Sequence, residues 1–167
     1  MTPNTIRTGD LAPTLATLFS ELVLGAPDSG GFMLNPGDEG LLASLDRLPA
    51  AEVSAPTPTG SSIAAHVDHL RYGLSLMNRW SAGENPFKDA DWSASWTRTK
   101  VSEDEWQTLR AGIRNKAVRW LNALGTPREV QQIELNGMIG SVAHLAYHLG
   151  AIRQINQALR GPAEGGR

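Results

Sequence analysis

Cysteine is absent from this chain of 167 residues. Its absence excludes disulfides, cysteine nucleophiles, thiolate-held zinc and iron–sulfur clusters together, and it is compatible with a cytoplasmic location. Long apolar runs are absent too. No stretch of 18 apolar residues occurs, so no membrane span is expected. Residues 1–10, MTPNTIRTGD, lack the apolar centre of a signal peptide. Neither sign of charge dominates: 15 Lys and Arg against 17 Asp and Glu leave a net charge of −2. That balance lacks the basic footprint of a nucleic-acid binder. Strand signals are poor, with no alternating runs and no Asn-Gly turn between two of them. The length fits one domain over residues 1–167, large enough to bury its own core. The polar ends, residues 1–10 and 161–167, are expected to be flexible.

What is present is helical periodicity. Leu11, Leu15, Leu18 and Leu22 recur at spacings of 4, 3 and 4, which predicts a first helix over Leu11–Leu24 ended by Gly25-Ala26-Pro27. A long linker follows, with a short helical piece near residues 39–48 and a breaker cluster, Pro56-Thr57-Pro58-Thr59-Gly60. A second helix starts at Ser61 or Ser62, either a good N-cap, and carries Ile63, Val67, Leu70, Leu74 and Met77 on one face to an end near Gly83. Residues 84–100 read as an irregular loop with Trp92 and Trp96. The third helix opens on a capping box, Ser102 to Glu105, and runs through Trp106, Leu109, Ile113, Ala117, Trp120 and Leu124. The fourth lies within residues 138–159, entered through Asn136-Gly137, with Met138, Val142, Leu145, Leu149 and Ile152 as its stripe. Four amphipathic helices of this kind predict an all-α fold, a four-helix bundle with a long first crossover.

The four histidines fall in two pairs. His66 and His69 are i, i+3 on the second helix, and His144 and His148 are i, i+4 on the fourth, so each pair shares a helix face. Each ring precedes a core position of its helix, about 100° around from the buried stripe and always on the same side. Two such flanks can converge on one point. Neutral imidazole is the commonest metal ligand, and three histidines with an open position form a known catalytic arrangement for a divalent ion. Gly73, one turn beyond His69, leaves room beside the ring and favours His69 over His66 as the third donor. Flanking histidines are also common as solvated or hydrogen-bonded residues, so the pairs alone leave both readings open.

The stretch Ser62-Ile63-Ala64-Ala65-His66-Val67-Asp68-His69-Leu70, with the later His144-Leu145-Ala146-Tyr147-His148-Leu149-Gly150, resembles the DinB/YfiT superfamily of bacterial four-helix proteins. The family pattern has one His before Leu or Ile in the second helix and His-x-x-x-His-x-Gly in the last. The resemblance implies His69, His144 and His148 as metal ligands, with Gly150 as the glycine; Ala151 stands where many members have Gln. It further implies nickel, zinc or iron in an open site, and a low-molecular-weight thiol such as bacillithiol or mycothiol transferred to a small electrophile. A divalent ion would bind such a thiol as thiolate. The same site could instead serve a metal-hydroxide hydrolase. A non-catalytic, stress-associated bundle with structural or no metal is the alternative of a different class. Many relatives are dimers, so a homodimer is expected, with the loop tryptophans available to an interface.

The remaining features carry two readings each. His66 is a proton shuttle, an alternative ligand, or a ring bonded to a neighbour. Arg153 is an anion contact or a solvent-facing charge. Asp68 is read as a solvated surface charge. Trp92 and Trp96 wall a substrate pocket or cap the end of the bundle. Arg110, Arg114, Lys116 and Arg119 make a solvated basic face.

Overall fold

The computed structural model describes residues 5–58 and 60–163. The expected flexibility of residues 1–4 and 164–167 lies outside the described residues. The chain is predominantly helical. A short strand β1 (Thr5–Arg7) leads into α1 (Leu11–Leu24); α2 (Gly40–Asp46) and α3 (Ala50–Val53) lie in the long connection to α4 (Ile63–Ser81). Then come two 3₁₀ turns, Pro86–Lys88 and Ala94–Trp96, before α5 (Glu103–Gly125), β2 (Glu129–Gln131) and α6 (Gln132–Ile155). α4 packs on both α5 and α6, and α1 packs on the same two helices, so the four long helices close a ring around one core. Among the described residues no helix is long and apolar enough to cross a membrane.

The local signals explain most of these bounds. Ser62 caps α4 by accepting the Ala65 N–H. Ser102 and Glu105 exchange both bonds of a capping box at the start of α5. Gly25 ends α1 at φ 107°, where its missing Cβ lets the chain pass against the Asp38 and Glu39 backbone. The apolar stripes of α4, α5 and α6 are buried as their spacing predicts. On α1 the stripe is turned. Ala12, Leu15, Phe19, Leu22 and Val23 face the core, and Leu11 is 40% exposed.

Four expectations need correction. First, residues 5–10 are not a free tail. Thr5–Arg7 pairs antiparallel with Glu129–Gln131, Ile6 opposite Val130. Thr8 is fully buried and exchanges hydrogen bonds with Arg128. Three-residue strands are too short to show alternation, so no periodic signal announced this sheet. Second, residues 161–163 are also held: the Pro162 carbonyl accepts the Asn35 side-chain amide at 2.8 Å. Third, α6 starts at Gln132, not at Asn136-Gly137. Gly137 sits inside the helix because the Trp80 ring occupies the place of its Cβ. Its absence of a side chain serves packing, not helix entry. α6 ends at Ile155, where Asn156 turns to cap the 3₁₀ turn Gln157–Leu159 by accepting the Ala158 N–H. Fourth, Asp68 is buried, not solvated. Arg71 reaches it at 2.7 Å and Arg98 at 3.1 Å, so the carboxylate leaves water with two cationic partners.

Candidate metal centre

α4 carries His66 and His69, and α6 carries His144 and His148, on flanks that face each other. Helix periodicity lifts His69 and His144 to the same level, so their Nε2 atoms approach to 3.1 Å. His148, one turn further along α6, brings its Nε2 to 3.0 Å from that of His144. Three Nε2 atoms thus converge, and His69, His144 and His148 together form a cluster that can hold a metal ion. Two donors bound to one ion at about 2.1 Å stand ~3.0 Å apart at a right angle and ~3.4 Å apart at the tetrahedral angle. The spacings of His69 and His148 from His144 meet that requirement.

Electrostatics favour the same reading. Burial holds all four rings below the ordinary imidazole range. His69 is pushed down to about 4, by burial first and then by His144 and His66. His148 is pushed down to about 3, by burial and then by His144, His66 and His69. At neutral pH these two rings are uncharged, and each Nε2 lies within hydrogen-bond distance of His144 Nε2, where a divalent ion would take the place of a shared proton. A divalent ion satisfies all three at once.

The outer nitrogens decide which lone pairs point inward. The Ser95 hydroxyl donates to the Trp92 carbonyl at 2.6 Å, so its oxygen accepts from His69 Nδ1 at 2.7 Å. The proton is then on Nδ1 of His69, and Nε2 is free to ligate. His66 Nδ1 lies 2.8 Å from His148 Nδ1. With His148 Nε2 as a metal ligand, its Nδ1–H would donate to His66. His66 is a ring bonded to a neighbouring ring, behind the cluster, and it lines a cleft of about 750 Å³.

The tryptophans of residues 84–100 lie against the histidines. Trp96 stacks on His69 with ring centres 4.3 Å apart and meets His66 edge-on. Trp92 stands perpendicular to His144 at 6.4 Å. The segment is tied down by Arg98 on Asp68, by the Ser62 hydroxyl on the Thr99 carbonyl, and by the Asp91 N–H on the Tyr72 hydroxyl.

Sequence reasoning missed Ser95, because a lone serine in a loop carries no spacing signal. It left Arg153 with two readings. The guanidinium is 14% exposed and pairs with buried Asp38 at 2.7 Å, so it is not the solvent-facing charge, and the anion it contacts in the structure is Asp38. Gly150 is exposed, and a side chain there would meet nothing within 4 Å, so packing does not require glycine. Gly73 does open space: a Cβ would stand 3.6 Å from His144 Cε1 and 3.5 Å from Trp92. No protein-family model, curated protein or solved structure matches the chain.

Proposed function

We propose that the chain is a four-helix bundle of the DinB/YfiT type and a metal-dependent enzyme, with His69, His144 and His148 as ligands. Its reaction is transfer of a low-molecular-weight thiol, such as bacillithiol or mycothiol, to a small electrophile in the cytoplasm, with a homodimer as the working form. The observation that carries this reading is the convergence of three neutral Nε2 atoms within bonding reach of one ion. A divalent ion held there would supply Lewis acidity, lowering the pKa of a thiol or water brought to it. The chain's own residues do the rest. Ser95 and His66 hold the tautomers of His69 and His148. Trp92 and Trp96 shield the rings from water. A cysteine-free chain offers no thiol of its own to compete.

Two measurements test this. Protein purified without a histidine tag should contain close to one nickel, zinc or iron per chain, and metal-loaded protein should conjugate a bacterial thiol to a member of an electrophile panel. Metal-free, folded protein that gains no stability from added Zn²⁺ or Ni²⁺ would return the chain to the non-catalytic reading. Metal-dependent ester or amide cleavage without thiol transfer would make it a hydrolase.

A further inference from the structure

The two sides of the histidine cluster differ in kind. The cleft beside His66 is bordered by Glu52, Gln154 and Asn156. The pocket against His144, about 270 Å³, has no charged residue on its walls; Leu74, Met77, Phe87 and Trp92 are among its lining. Ser141, its hydroxyl group, is already engaged: it donates to the Met138 carbonyl at 2.7 Å and accepts the Trp120 indole N–H at 2.8 Å. The pocket touches the cluster at His144, whose Cε1, the neighbour of Nε2 in the ring, lies 3.6 Å from the place a Gly73 Cβ would take. An apolar cavity of about 150 Å³ takes up benzene, so this one has room for a phenyl-sized group. A carboxylate or ammonium placed there would lose its hydration and find no partner.

We infer that this pocket receives an uncharged, aromatic-sized apolar group of the molecule that approaches the histidines. The inference rests on the reading that the cluster holds a metal, and it adds the chemistry of the substrate. An apolar cavity opening on a few convergent polar groups is the usual form of a ligand subsite.

Gly140→Leu tests it. Gly140 is exposed and lines the pocket from within α6, and a Cβ there meets nothing within 4 Å, so a side chain is accommodated and narrows the pocket on that side. Imidazole and 4-phenylimidazole share a coordinating ring and differ by the phenyl group. In cobalt(II)-loaded protein the visible spectrum follows each probe. The phenyl derivative should bind about 10- to 100-fold more tightly. Gly140→Leu should erase that preference and leave cobalt stoichiometry and imidazole affinity unchanged. Equal affinities in the unsubstituted protein, with cobalt bound, overturn the subsite and leave the metal reading standing. So does a preference that survives in Gly140→Leu. If cobalt does not bind, the metal reading fails by itself, and toluene is added to the metal-free protein. A shifted Met77 methyl signal, assigned with Met77→Leu and lost in Gly140→Leu, then supports the subsite; an unmoved signal overturns it.

Discussion

The donor atoms of the cluster stand on two long helices, α4 and α6, whereas the groups that turn and cover them stand on an irregular connection, residues 84–100. On the helices, backbone hydrogen bonds are satisfied internally, and each ring is placed by helix geometry and by core packing on either side. The connection has no such ladder. It is held by side chains: Ser95 on the Trp92 carbonyl, Tyr72 on the Asp91 N–H, Ser62 on the Thr99 carbonyl and Arg98 on Asp68. The helices therefore fix where the nitrogens are, and the connection helps fix which nitrogen carries the proton. Damage to the first should remove ligands; damage to the second should only misorient them.

The largest effect belongs to the helices. His69→Ala, His144→Ala and His148→Ala should each weaken metal binding by more than the about 10–100-fold that an outer partner is worth, read by isothermal titration with Zn²⁺. His66→Ala should fall within that outer range, because it only removes the acceptor of the His148 Nδ1–H. If His66→Ala abolished binding and His69→Ala did not, the donor set on α4 would have to be reassigned.

The connection comes next. Ser95→Ala takes away the acceptor of the His69 Nδ1–H, and zinc affinity should drop about tenfold. A drop as large as that of His69→Ala would erase the distinction between the two regions.

Acid separates the folded cluster from free imidazole. An unperturbed ring titrates near 6.5, while His69 stands at about 4 and His148 at about 3 when folded. Below pH 6.5 the unfolded chain binds more protons than the folded one at these positions, so stability falls as pH falls, from about 6.5 down through the folded values. The Tm of metal-free protein should decline between pH 7 and pH 5. Zinc affinity of the folded protein should stay nearly level over the same interval as far as these two rings compete with protons. The sequence alone places that acid limit near 6.5; burial moves it down. A Tm of the metal-free protein that does not change between pH 7 and pH 5 would show that the rings are solvated in the folded protein.

The smallest effect is expected at the anchor of the connection. Asp68→Asn keeps the shape but removes the charge between Arg71 and Arg98, whose own side chains reach water. Stability should fall by about 1 kcal/mol, or about 2–4 °C in Tm, in a calorimetric scan. Zinc affinity should change less than in Ser95→Ala. A larger change would mean that the position of Ser95 depends on this ion pair.

Much of the fold was legible because it is local. The capping box at Ser102, the N-cap at Ser62 and the stripes of α4, α5 and α6 each depend on residues within one or two helical turns. Gly137 misled for the same reason. A glycine near a helix start reads as an entry, and only the Trp80 ring on another helix gives it its actual role.

By itself the sequence determined the helices and placed two pairs of histidines each on one helical face, since spacing along a helix is rigid. The tertiary structure decided the rest. It brought His69, His144 and His148 together through Nε2 and left His66 behind them. Neighbouring positions on one helix face differ only by a rotation, which is fixed by packing against another helix. It also joined Ser95 to His69 across 26 residues, Asp38 to Arg153 across 115, and Thr5–Arg7 to Glu129–Gln131. Contacts that far apart in the chain leave no period in the sequence, because they form only when the core has set the distance between their elements.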